Sequence, residues 1–198
     1  MIYIMIIIMI YTLKSTSERR RGSPAAAQAA RRLKDMIAVE KRRKENDMSK
    51  IQRNSIVQIG IMVRDLDKVA KRWAEFLGKE PVYAVSEKYE TGGAVLRGKP
   101  CYGLIRQALF DLDNLQIELI SPYGAKPSLW RECLEKDGEG LHHIAFKTDD
   151  IIKAKEELNA AGLQTLQRGS WEGDTKGSYA YMDTFDDFKT MIELLEFR

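Results

Sequence analysis

Gln58, Glu118, His143 and Glu193 together offer one imidazole nitrogen and three oxygens, a donor set suited to a divalent cation. Their positions are tied by a repeat. Gln58-Ile59-Gly60-Ile61-Met62-Val63-Arg64-Asp65-Leu66 is echoed by His143-Ile144-Ala145-Phe146-Lys147-Thr148-Asp149-Asp150-Ile151, and the opening residues lie 85 positions apart. Ile117-Glu118-Leu119 is echoed by Ile192-Glu193-Leu194, with the glutamates 75 positions apart. A duplicated unit tends to pair with itself about a pseudo-twofold axis. Such pairing would carry all four side chains to one place.

Side-chain alternation along a strand then assigns faces. Val57, Ile59, Ile61 and Val63 form one face, suited to packing under a helix, and Ile56, Gln58, Gly60 and Met62 form the other. The adjacent His142 and His143 must split between faces. The repeat aligns His143 with Gln58, on the face of Ala145, and leaves His142 with Ile144 and Phe146 on the helix side. Glu118 and Glu193 each lie mid-strand between apolar neighbours, where a carboxylate is costly unless paired or bound to a cation. Taken singly, each residue is bland. A lone histidine is more often a hydrogen-bonded core residue, and a strand glutamate usually faces water. Only the set, related by the repeat, points to a shared metal or ligand site.

The elements that must position these residues can be read in turn. Ile56 to Val63 reads as a strand, Asp65 as the cap of a helix over 66–77, and Gly78 as its stop. Pro81 to Val85 is extended and Thr91 to Pro100 is a glycine-rich loop. Tyr102 to Phe110 and Leu115 to Ile120 make a hairpin that Ser121-Pro122 ends. Ser128 to Lys136 is a linking helix. The second unit then runs as strand 141–148, helix 150–161 stopped by Gly162, short strand 163–166, polar loop 169–177, and a hairpin of 178–183 with 190–197. Two strand–helix–strand–strand–strand modules give eight strands and an α+β architecture, with helices on the outer face of a curved mixed sheet.

Composition frames the rest. Residues 1–47 hold 11 Lys/Arg against 5 Asp/Glu, a balance of +6; the remaining residues hold 21 against 24, a balance of −3. The mildly acidic remainder gives no reason to expect nucleic acid. Cys101 and Cys133 have no metal-motif spacing and read as free thiols in a reduced, cytoplasmic protein, neither of them a nucleophile. The apolar run from Met1 to Ile10 is far shorter than the roughly 20 residues of a spanning helix, and its first charge is Lys14. A membrane anchor or signal is one reading. The favoured one is an upstream extension of the reading frame, with Met48-Ser49-Lys50 as a natural start. Residues 1–47 thus form a hydrophobic, then basic extension, helical or disordered, and 54–198 form the domain, with modules at about 54–122 and 139–198.

The quoted residues resemble the vicinal oxygen chelate superfamily, the group of glyoxalase I, bleomycin-resistance proteins, ring-cleaving dioxygenases and methylmalonyl-CoA epimerase. Asp137-Gly138-Glu139-Gly140-Leu141-His142-His143-Ile144-Ala145-Phe146 and Ile117-Glu118-Leu119-Ile120-Ser121-Pro122 are similar to the epimerase branch in particular. The resemblance implies paired βαβββ modules around a cupped sheet, with a divalent metal (Co, Ni, Mn, Zn or Fe) held by Gln58, Glu118, His143 and Glu193. It also implies a role for Glu193 as the base that moves a proton next to a carbonyl. The sequence departs from the family in two places. Gln58 stands where histidine is usual, and Cys101 stands where the epimerases carry a second glutamate base; the nearest upstream glutamate is Glu90. The expectation is therefore an epimerase, isomerase or lyase, methylmalonyl-CoA epimerase-like or glyoxalase-like. The alternative is a binding or resistance protein that lines the same cup with Trp171, Tyr179 and Tyr181. A ring-cleaving dioxygenase is disfavoured, since Fe(II) there takes two histidines and one carboxylate. The implied partner is a small-molecule substrate, an acyl-CoA thioester among the options, with no nucleic acid and a membrane disfavoured. Homodimerisation stays open.

Overall fold

The computed structural model describes residues 28, 30–37, 51–86, 94–172 and 176–198. The chain divides into two units, 1–47 and 48–198. In the first, the described residues are helical. The apolar run at the start of the chain, Met48 itself and the Glu90 loop lie outside the described residues. No helix among the described residues is long and apolar enough to cross a membrane.

The described residues of the second unit form ten strands. They are β1 (Ile56–Met62), β2 (Val82–Val85), β3 (Ala94–Leu96), β4 (Lys99–Cys101), β5 (Leu104–Asp111), β6 (Gln116–Tyr123), β7 (Gly140–Lys147), β8 (Thr165–Trp171), β9 (Gly177–Met182) and β10 (Met191–Phe197). The helices are α1 (Leu66–Leu77), α2 (Leu129–Lys136), α3 (Ile151–Ala160) and the single turn α4 (Phe185–Phe188). The sheet order is β2-β5-β6-β1-β7-β10-β9-β8-β3-β4, curled into a half-barrel. Each repeat contributes the same four-strand order, and the copies meet where β1 pairs antiparallel with β7.

The helices begin where the sequence supplies caps. Asp65 and Ser128 accept from the backbone N–H groups of Lys68 and Arg131, and Asp150 accepts from that of Lys153. Gly78, at φ 63°, closes α1 in the left-handed region that glycine favours. On the convex side α1 covers Ala108, Phe110, Ile117 and Leu119, and α3 covers Ala180, Met182 and Leu194. The linking helix α2 behaves differently. Its Leu129, Trp130 and Leu134 pack with Ile120, Ala145, Tyr179 and Tyr181 on the concave side, so it plugs part of the cup.

Several sequence expectations are corrected here. The described strands number ten rather than eight because the end of the glycine-rich segment forms a hairpin, β3–β4. Its turn places Arg97 and Gly98 at φ 44° and 80°, the two positive values that suit a tight hairpin. This hairpin does not stay with its own module but pairs through β3 with β8. Pro100 is tolerated because β4 is an edge strand. Ser121-Pro122 does not end β6. Pro122 lies past the last β1 partner, Met62↔Ile120, where a missing N–H breaks no ladder to β1. Strand β8 also runs on through the region read as polar loop, to Trp171. Its Gly169 sits under the Tyr179 ring, where a Cβ would come within 2.6 Å of Cε1.

Candidate metal centre

The central β1–β7 pair is not regular. Gly60 pairs with His143 and Ile61 with Leu141, which leaves His142 as an extra residue, a β-bulge. The bulge overturns the strict alternation expected for the two histidines. The His142 ring lies 5.2 Å from the Tyr181 ring and 5.3 Å from that of His143, on the side of the cup rather than under the helices. A second bulge at Val57 turns that residue from the helix face toward the concave cluster. Gly60 is required opposite His143. A Cβ there would lie 2.0 Å from His143 Cε1, so only glycine leaves space for the imidazole.

The structure brings Gln58, Glu118, His143 and Glu193 together on the concave face. His143 Nε2 lies 3.1 Å from Gln58 Oε1, 3.0 Å from Glu193 Oε2 and 3.5 Å from Glu118 Oε2. All four are buried, His143 completely. The 3.0 Å separation places Glu193 and His143 as an ion pair, yet no aligned hydrogen bond reaches Glu193 Oε2. His143 Nδ1 faces His142 Nδ1 at 3.0 Å, so one of the two must carry a proton and the other accept it. His142 Nε2 is buried without a partner.

Residues outside the repeat complete the cluster. Gln107 Nε2 donates to Glu118 Oε1. Gln58 Nε2 donates to Gln116 Oε1 at 2.7 Å, and Gln116 Nε2 donates to Asp111 Oδ1 at 2.6 Å. Trp130 Nε1 donates to the Tyr181 hydroxyl at 3.3 Å. The signal that could have found Gln107 is the one that found Glu118: a polar residue mid-strand on an otherwise apolar face.

The electrostatics follow from burial. Burial pushes the Glu118 carboxyl up to about 7; His143 opposes the shift and Glu193 adds to it. For His143 burial acts downward, but the charge and contact of Glu193, with the charge of Glu118, outweigh it and hold the imidazole above its ordinary value. His142 is pushed well below its ordinary value by burial and by the neighbouring His143. The Tyr181 hydroxyl is pushed well up by burial and by the two glutamates.

Does this set fit a cation? Donors bound at about 2.1 Å in octahedral geometry stand about 3.0 Å apart when cis. Glu193 Oε2 and Gln58 Oε1 stand 3.0 and 3.1 Å from His143 Nε2, close to that spacing, and Glu118 Oε2 stands farther off at 3.5 Å. Among the described residues no three His, Cys, Asp or Glu side chains are already arranged around one point as ligands. The oxygens instead crowd Nε2 itself, as they would around its proton. Exchanging that proton for an ion asks for side-chain adjustment, and a buried carboxylate oxygen without an aligned donor is there to take it. The residues therefore fit a divalent metal.

Above the cluster opens a cavity of about 930 Å³, lined by Gln58, Gln107, Glu118 and Glu193 with Trp130, Trp171, Tyr179 and Tyr181. Cys101 is not among the residues that line it. That thiol is buried, 3.4 Å from the Pro127 carbonyl and 3.6 Å from Gln167 Oε1. Cys133 is half-buried, and burial, with Asp137 and Glu132, pushes its thiol up to about 11. Both cysteines are free.

Residues 57–181 match the profile of the Glyoxalase/Bleomycin resistance protein/Dioxygenase superfamily. The chain belongs to this superfamily. Among curated relatives, the ethylmalonyl-CoA/methylmalonyl-CoA epimerase of Cereibacter sphaeroides is 28% identical over 111 residues, 56% of this chain and 73% of that protein. Two solved structures share the superfamily fold. The methylmalonyl-CoA epimerase of Mycobacterium tuberculosis matches with a TM-score of 0.52 at 23% identity, over 72% of this chain and 87% of that one. A Streptomyces coelicolor methylmalonyl-CoA epimerase variant in complex with 2-nitronate-propionyl-CoA matches at 0.53 and 23%, over 72% and 96%. These likenesses establish the half-barrel of a superfamily member. The chemistry must be argued from the cluster.

Proposed function

We propose that the chain is a metal-dependent enzyme that moves a proton on carbon next to a carbonyl. The observation that carries this reading is the convergence of three oxygens on His143 Nε2 at 3.0 to 3.5 Å beneath the cavity. Gln58 Oε1, Glu118, His143 Nε2 and Glu193 would hold the metal. When bound, a divalent ion supplies polarisation of a substrate carbonyl or thioester oxygen. Glu193 would take the α-proton, since it lines the cavity. Glu118 holds the equivalent place in the other repeat and lines the same cavity. Trp130 and α2 keep water from one side of the cup.

The likeness to the epimerases makes a methylmalonyl-type acyl-CoA thioester the first substrate to test, and a glyoxalase-type α-hydroxy thioester the second. One observation favours a different reading. Cys101, which stands in place of the epimerases' second base, does not line the cavity. An aromatic cup without that base also suits a protein that only binds a small molecule. Metal content separates the two. Protein purified without chelator should hold about one equivalent of divalent metal, lost together with exchange of the substrate α-proton into deuterated solvent when a chelator is added. Glu193→Gln should stay folded and lose exchange, and His143→Ala should lose metal. Protein that stays metal-free in the presence of Co(II), yet binds the thioester without exchange, would establish the binder instead.

A further inference from the structure

Gln58 differs from the other three ligands in one respect: its side chain has two unlike ends. The carbonyl oxygen can bind a cation, whereas the NH2 group can only repel one. Something must fix which end faces His143. On parallel strands Gln58 pairs with Gln116, and on the β5–β6 hairpin Gln116 pairs with Asp111, so the three side chains lie in one row. An ionised carboxylate accepts and never donates. Asp111 Oδ1 therefore takes the NH2 of Gln116, at 2.6 Å. The Gln116 oxygen is then turned toward β1, where it takes the NH2 of Gln58 at 2.7 Å. That leaves Gln58 Oε1 facing His143 Nε2 at 3.1 Å.

We infer that Gln116, set by Asp111, is a positioning residue that holds the Gln58 amide with its oxygen toward the metal site. Every hydrogen bond in the row runs in one direction, and the direction is imposed by the acceptor-only group at its outer end. The row has a second consequence. It ties the ligand of one strand to the hairpin at residues 111–116, so the orientation survives when the site holds no ion. The inference rests on the metal reading proposed above, but the orientation itself can be tested without metal.

The test has two arms. In chelator-treated protein labelled with 15N, the Gln58 side-chain NH2 protons should show nuclear Overhauser contacts to Gln116 and none to His143 Hε1. Contacts to His143 instead would overturn the inference, whatever the metal affinity. In the second arm Co(II) alone is titrated by calorimetry. Gln116→Met, which removes the acceptor but keeps the bulk, should weaken Co(II) binding about tenfold, the low end of what outer partners of ligands contribute. In a Gln58→Glu background, where both ends of residue 58 are oxygens, the same Gln116→Met change should cause no loss. A loss of equal size in both backgrounds would mean that Gln116 merely supports the fold, and would overturn the inference. If the parent takes up no Co(II), the metal reading fails, while the resonance experiment still decides the orientation.

Discussion

Replacing Glu118 by glutamine should change how stability depends on pH in the metal-free protein, and by a calculable amount. The folded state keeps the Glu118 proton up to about 7, whereas the group's ordinary value is 4.5. A value raised on folding contributes stability that is complete below the unfolded value and is lost as pH rises through the folded one. At about 1.4 kcal/mol per pH unit, the interval is worth about 3 kcal/mol. His143, also raised, acts in the same sense above its ordinary 6.5, and part of its shift comes from Glu118. His142 acts in the opposite sense: lowered on folding, it costs stability as pH falls through 6.5. That cost is common to parent and variant, so the gap between them reports Glu118 together with the part of the His143 shift it causes, and both act in the same sense. Urea unfolding of chelator-treated protein, followed by circular dichroism at about pH 5 and about pH 8, should show the parent losing about 3 kcal/mol relative to Glu118→Gln across that window. Saturating zinc should remove the loss, because a bound cation favours the ionised carboxylate. A gap that stays constant within about 1 kcal/mol, or that moves in the parent's favour as pH rises, would mean that Glu118 is ionised in the metal-free fold and would refute the reasoning.

Other predictions test the surroundings. Gly60→Ala should abolish Co(II) uptake and lower the melting temperature, because its Cβ would stand 2.0 Å from the His143 ring, which nothing else can replace; uptake at parental affinity would show that the ring has room to move. Gly103→Ala should destabilise by about 2 kcal/mol or more in urea unfolding, since the new Cβ would meet Ser128 Cβ at 2.3 Å and the Pro127 carbonyl at 2.9 Å, disturbing the cap of α2. The double Cys101→Ala, Cys133→Ala variant should keep its Co(II) affinity and any α-proton exchange; loss of exchange alone would give a thiol a part in the chemistry. A chain beginning at Met48 should unfold cooperatively at the parental temperature, as the separate unit 48–198 suggests, and a broadened transition would place the N-terminal segment in the core.

The repeat made most of this legible in advance. Two copies of one strand, each followed by a capped helix, pointed to two equivalent modules, and matched glutamates on matched strands pointed to faces that could converge. What stayed hidden had local physical causes. The bulge at His142 depends on a register shift against Gly60, and no alternation rule contains an extra residue. The β3–β4 hairpin was masked by Gly98 and Pro100, residues that suit an edge and a tight turn as well as a loop. Gln116 carries no signal in the sequence, because its part lies in hydrogen-bond direction, which only the positions of its neighbours reveal. The reach of α2 into the cup depended on Trp130 finding the Tyr181 hydroxyl 51 residues away.

The hairpin that leaves the first module to pair with β8 has a consequence for how such a protein can be divided. Separated at the linking helix, the first half would carry a hairpin whose partner strand is gone, and the second half would expose the edge of β8 that β3 covers. Neither half keeps all its strands paired. Two copies of either would gain by trading segments, since an open edge is a template for another chain. A strand pair lent across the midline thus makes the two repeats one structural object.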